Sequence, residues 1–145
     1  KLILTTTNGT RAIQKARHGT SILIGCFLNA TACIEEALSR GLDITLFCAG
    51  SRKKYAHEDG LAAGLLIHHA QSLNPNIRIS DLGITLLNSY QQCAHCLGEE
   101  LRKSATGKRL LSLNYEKDVS FCSQVDLFHL VPIVKDNRIL SLNSS

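Results

Sequence analysis

The chain contains no methionine and no tryptophan, only two prolines, and aromatic residues at just 5% of its length. Each shortage excludes something. So few aromatics cannot furnish the stacking platforms of single-strand nucleic-acid binders, and a formal charge of +4 is too small for the broad basic stripe that phosphate-backbone binding requires. Nucleic acid is therefore not the expected partner. No apolar run approaches the roughly 20 residues of a membrane span, and no signal-peptide pattern opens these residues. The expectation is a soluble, cytoplasmic protein with no membrane partner. Without a methionine, Lys1 runs straight into an apolar strand, which reads as the C-terminal portion of a longer protein.

A second Cys-x-x-Cys is also missing. Cys93-Ala-His-Cys96 stands alone, so a four-ligand zinc site has nothing to complete it. Cys93, Leu97 and Leu101 instead form an i, i+4, i+8 row suited to core packing. The other four cysteines also sit in apolar periodic segments, as reduced, buried thiols do. His68 and His69 fall on adjacent helical faces and cannot both face one metal. Asn8, Asn29 and Asn143 open glycosylation sequons, chance matches without a secretory context.

What is present describes an ordinary globular chain. Apolar residues at 44% and charged residues at 19% of 145 positions suit one domain with one core. Three successive units repeat a plan of apolar strand, small polar turn and amphipathic helix. The first joins "LILTTT" to a helix from about Thr10 to His18, with Ala12, Ile13 and Ala16 on its inner face. The second joins "SILIGCF" to a helix capped by Asn29, in which Ala30, Cys33, Ile34, Ala37 and Leu38 form one stripe. The third, "DITLFCAG", leads through "SRKKYAH" into "EDGLAAGLLIHHAQSL".

Strand and helix alternating with short links imply right-handed crossovers. The expected fold is a single α/β domain over residues 1–145: three layers, α/β/α, around a mainly parallel sheet, closed by a C-terminal β-hairpin. Further helices are predicted over "SDLGITLLNSYQQCAHCLGEELRKS" with a break near Tyr90 to Cys93, at "ATGKRLLSLN", and at "EKDVSFCSQ" with Phe121, Cys122 and Val125 on one face. The hairpin would turn at Lys135-Asp136-Asn137, with Pro132 at an edge or bulge.

In such a fold, ligands bind where loops gather at the carboxyl ends of the strands. Thr7, Asn8, Gly9 and Thr10 form one candidate anion turn, which Arg11 would complete with a bidentate guanidinium; the same residues could equally be a capped turn, with Thr10 as N-cap. Cys48 ends the third strand. Its thiol is a candidate covalent nucleophile. The pair Glu58 and Asp59 in "HEDG" could hold a divalent cation or act as a base, or simply complement a helix dipole. Asp118 and Asp126 read as caps or as further acidic ligands. Arg52, Lys53 and Lys54 form the densest basic cluster and suit an anionic small molecule or a solvated loop.

Taken in order, "TTTNGTRAI", "GCFLNA", "LFCAG", "HEDGLAAG" and "DVSFCSQVDLFHLVPIV" resemble the 2-phosphosulfolactate phosphatase family. The resemblance implies an α/β fold and a Mg2+-dependent phosphoric monoester hydrolase. Its namesake reaction converts (R)-2-phospho-3-sulfolactate, a small phosphorylated and sulfonated acid, to 3-sulfolactate in coenzyme M biosynthesis. It implies substrate contacts at Thr7, Asn8, Gly9, Thr10, Arg11 and Asn29, and metal or base roles for Glu58 and Asp59, with Asp126 as a third metal ligand. The family's upstream Asp-Val-Leu-Arg-Ala motif has no counterpart here, so the site is expected to be incomplete in this chain. The competing class is a non-catalytic α/β module that binds an anionic metabolite or a protein partner. A homo-oligomer remains open.

Overall fold

A computed structural model of the chain describes Thr6 and residues 8–142. The first expected strand and Thr7 lie outside the described residues. Seven helices follow in order: α1 (Gly9–Ala16), α2 (Ala30–Ser39), α3 (His57–Leu73), α4 (Asp81–Cys93), α5 (Leu97–Lys103), α6 (Ala105–Ser112) and α7 (Glu116–Cys122). A hairpin of β1 (Pro132–Lys135) and β2 (Arg138–Ser141) closes the chain.

The three-layer α/β/α architecture with a mainly parallel sheet is not what forms. Among the described residues the fold is α-helical, with one antiparallel two-stranded sheet. Of the segments expected to be parallel strands, residues 21–24 and 43–48 belong to no strand element and make no backbone hydrogen bond to one another. Residues 21–24 run beside the hairpin through a single antiparallel bridge, Leu23 to Ile133. Ile24 N–H donates to the Pro132 carbonyl at 2.9 Å and Val134 N–H to that of Ile22 at 2.9 Å. Residues 43–48 have no backbone ladder among the described residues. A run of apolar residues can ask for a strand, but only a neighbouring strand satisfies its N–H and C=O groups.

The helices carry the core. Leu61 and Leu65, four residues apart on α3, are fully buried, and α3 packs between α2 and α4. Gly64 lets the backbones approach: a Cβ there would lie 2.7 Å from the Tyr90 Cβ and overlap the Leu86 carbonyl of α4. The α2 stripe is found as its spacing requires, with Ala30, Cys33 and Ile34 buried and Ala37 and Leu38 packed against them. Ser80 caps α4 by accepting from the Gly83 N–H at 3.2 Å. A short 3-10 turn, Ala94–Cys96, separates α4 from α5 where the break is expected. Cys93, Leu97 and Leu101 are all buried in the core.

Helix α7 ends at Cys122, so Val125 lies beyond it. Val119 is the buried residue of α7, while Phe121, Cys122 and Val125 are exposed. The hairpin forms as its turn chemistry demands. Asp136 and Asn137 adopt φ of 49° and 57°, the left-handed pair that a two-residue hairpin turn needs, and Lys135 pairs with Arg138. No helix among the described residues is long and apolar enough to cross a membrane.

Candidate functional site

One cleft, of about 710 Å³, gathers the basic side chains Arg11, Lys15, Lys53 and Lys54 around Cys48 and Gly50. Its first wall is α1. Asn8, Arg11, Ala12 and Lys15 fall at i, i+3, i+4 and i+7, one stripe of an α-helix. The expected inner face of Ala12, Ile13 and Ala16 is not a core face, because α1 buries none of its residues.

The polar groups of the α1 turn divide. Thr10 is spent on the chain: its N–H donates to Thr6 Oγ1 at 3.1 Å and its hydroxyl to the Thr6 carbonyl at 2.8 Å. Gly9 keeps that turn close, since a Cβ there would lie 3.1 Å from Thr6 Oγ1. Asn8 occupies the N-cap position without a side-chain cap bond, and it lines the cleft with Arg11.

The second wall is the turn between the extended segment and α3. Ser51 and Lys54 exchange both backbone hydrogen bonds, at 3.0 and 2.9 Å, and Arg52 and Lys53 between them adopt φ of 49° and 64°. This is a two-residue turn with both central residues left-handed, a shape that Asn-Gly usually fills. Two long cationic residues hold it instead. Gly50, at φ +70°, permits the preceding bend.

Asp59, in the first turn of α3, fixes that wall. Its Oδ2 accepts from the Gly50 N–H at 2.6 Å, and its carbonyl accepts from the Cys48 thiol at 3.5 Å. Burial pushes the Asp59 carboxyl above its ordinary pKa; the Gly50 N–H opposes the shift and Glu58 adds to it. Burial and the Asp59 charge likewise raise the Cys48 thiol. Burial, then Cys48, Asp59 and Glu58, raise the Tyr55 hydroxyl.

Two predicted site residues are employed elsewhere. Asn29 is buried and fully committed: its Oδ1 accepts from the Cys26 N–H at 2.9 Å, and its Nδ2 donates to the carbonyls of Ile24 and Leu130 at 3.1 and 2.9 Å. It locks the turn into α2 and the 130 segment together. Asp126, left-handed at φ 54°, accepts from the Thr31 N–H and hydroxyl, both at 2.7 Å. It thereby caps the first turn of α2 from far along the sequence. His69 Nε2 lies 3.4 Å from Asp126 Oδ2. Ten residues of α3 separate Asp59 from His69, about 15 Å of helix rise, so Glu58 and Asp59 sit at one end of α3 and Asp126 at the other. Among the described residues no group of three acidic, cysteine or histidine side chains converges as a metal cluster.

Lys53 and Lys54 belong to the basic cluster that the sequence offers for an anionic small molecule, whereas Lys15 and Tyr55 are not singled out by it. Tyr55 is signalled only by closing "SRKKY", and Lys15 only by standing four residues from Arg11 on α1.

A family model described as 2-phosphosulpholactate phosphatase matches residues 1–137. The probable 2-phosphosulfolactate phosphatase of Thermotoga petrophila is 38% identical over 134 residues, covering 90% of this chain and 55% of that protein. That of Caldanaerobacter subterraneus is 32% identical over 138 residues, 95% of this chain and 57% of that protein. That of Symbiobacterium thermophilum is 27% identical over 141 residues, 97% and 60% respectively. The chain thus spans little more than half the length of these curated relatives. Matched from Lys1 to Asn137, it belongs to the 2-phosphosulfolactate phosphatase family.

Proposed function

We propose that the cleft holds the phosphoryl group of a small phosphate monoester, and that the chain contributes this site to a phosphatase of the 2-phosphosulfolactate type, yielding 3-sulfolactate and phosphate. One observation carries the reading: four cationic side chains from two separate segments, Arg11 and Lys15 on α1 and Lys53 and Lys54 on the turn, line a single cleft. Their charge offsets that of the phosphoryl oxygens, and Arg11 can engage two of those oxygens at once. A sulfonate on the same substrate would meet the remaining cations.

In this reading water is the nucleophile, attacking in line. Cys48 lies in the cleft wall, but burial and the Asp59 charge raise its thiol pKa, which disfavours the thiolate that a covalent route needs. Asp59 holds the Gly50 turn against the cleft. Mg2+ is the cofactor this reading adds, and it would neutralise developing charge on the phosphoryl oxygens. Glu58 and the second carboxylate oxygen of Asp59 would hold it. They fit a hard cation that takes one or two carboxylates and completes its shell with water and substrate phosphate. Asp126, with both oxygens on Thr31, takes no part.

The test is hydrolysis of 2-phosphosulfolactate with and without Mg2+, by this chain and by a chain of the relatives' length. Glu58→Gln and Asp59→Asn should abolish magnesium-dependent turnover without unfolding the protein, and Arg11→Ala should raise KM. Full activity in both carboxylate variants would sink the metal assignment. Phosphate binding without turnover in either chain would favour a non-catalytic anion-binding module.

A further inference from the structure

Tyr55 lies in the cleft wall between Lys54 and the start of α3. The residue is 65% exposed, yet its phenol end does not swing free. A Cβ on Gly60 would lie 2.7 Å from the Tyr55 Cζ and 2.9 Å from its Cε2, and would overlap the hydroxyl. With glycine at position 60 the ring lies against the first turn of α3, and a Cβ there would push the phenol end aside. The φ of Gly60 is not in the left-handed region, so no backbone demand explains glycine there. Space for the phenol does.

The ring is thus packed at one end, while its hydroxyl makes no hydrogen bond to another described residue. Tyr55 lines the same cleft as Arg11, Lys15, Lys53 and Lys54, while the titratable groups that act on its hydroxyl are Cys48, Asp59 and Glu58. A neutral O–H donor in the cleft wall adds direction to the undirected attraction of the cations, because a hydroxyl donating to an anionic oxygen makes a short, oriented, charge-assisted bond.

We propose that Tyr55 is a ligand-contacting residue of the cleft, its hydroxyl donating to a phosphoryl oxygen, and that Gly60 of "HEDG" serves to seat it. The proposal rests on the reading of the cleft as a phosphate site and adds a specific donor to it. It also gives the fourth residue of that motif a role distinct from the carboxylates before it.

The experiment titrates inorganic phosphate into the intact chain, followed by 31P NMR and calorimetry, for the wild type and for Tyr55→Phe, Gly60→Ala and Arg11→Ala. Tyr55→Phe keeps the ring and removes only the hydroxyl, so thermal stability should be unchanged while phosphate affinity falls at least fivefold. Gly60→Ala, which displaces the ring, should weaken phosphate to a similar degree, and combining the two should add little. If Arg11→Ala weakens phosphate and Tyr55→Phe does not, the Tyr55 proposal is overturned while the phosphate cleft stands. If Gly60→Ala weakens phosphate and Tyr55→Phe does not, the glycine acts through the helix terminus and the proposal again falls. If the wild type binds no phosphate, or if Arg11→Ala and Tyr55→Phe both bind it as the wild type does, both the cleft reading and the proposal are wrong.

Discussion

Leu65 and Phe47 are both large apolar side chains in short apolar runs, yet Leu65 is 0% exposed and Phe47 is 53% exposed. The difference lies in what each run needs from its surroundings. On α3 the backbone satisfies its own hydrogen bonds, and one stripe of side chains suffices to attach the helix. The extended run over residues 43–48 satisfies nothing by itself, and among the described residues no strand pairs with it. Only Leu46 of this run packs against the core, half-buried, while Ile44 and Phe47 are exposed. Helical regions here are held by local chemistry plus packing, whereas the extended region depends on neighbours.

The largest expected effect tests that contrast directly. Leu65→Ala should cost about 3 kcal/mol, the usual loss for emptying a filled core position, while Phe47→Ser should stay within about 0.5 kcal/mol, as exposed substitutions do. Urea unfolding of the two variants measures both. A Phe47→Ser loss comparable to that of Leu65→Ala would mean that the extended run is covered in solution, and the contrast would collapse.

The same contrast explains how much the sequence revealed. The α2 stripe from Ala30 to Leu38 and the Asp136-Asn137 turn are specified within a few residues, and both are present as read. The parallel sheet required distant segments to meet, and periodicity carries no information about which segments do. The site divides likewise. Asn8 and Arg11 line one cleft, since helix and turn are contiguous. Asn29 reads as a cap from the residues and as a ligand only through the family resemblance, and Asp126 reads as cap or ligand, because an acidic or amide side chain near small residues can be either. Which one it is depends on partners such as Thr31 and Leu130, 95 and 101 residues away in sequence. Lys15 carries no signal of its own in the sequence, because a lysine four residues from Arg11 fits a solvated helix face as well as a cleft wall.

An intermediate effect joins the two regions. Asp126 ties the loop after α7 to the start of α2, so Asp126→Ala should cost about 1–2 kcal/mol, the range for losing a helix cap. His69 gives this junction a pH dependence. Burial lowers the His69 pKa most strongly, Asp126 and Glu35 oppose that shift, and His68 adds to it. Because the folded pKa lies below the unfolded value of about 6.5, the unfolded chain binds the proton first. Stability should be full above about pH 6.5 and decline as pH falls from there toward the folded pKa. Unfolding midpoints followed across this window check the sign, and His69→Gln should flatten the slope. A midpoint that rises on acidification would contradict the burial argument.

The smallest effect on stability belongs to the extended region, at the turn that carries the cleft's cations. Lys53 sits at φ 64° between Ser51 and Lys54, where a residue with a Cβ is strained by about 1 kcal/mol. Glycine relieves that strain but adds entropy to the unfolded chain, so Lys53→Gly should leave stability unchanged or raise it by up to about 0.5 kcal/mol. Its charge, however, lines the phosphate cleft in the reading advanced here, so the same variant should bind inorganic phosphate several-fold more weakly. A gain in stability joined to a loss in binding would mark the strain as retained for the ligand. If binding is unaffected, the strained turn serves only to connect the extended run to α3, and the cleft must hold its anion with Arg11, Lys15 and Lys54.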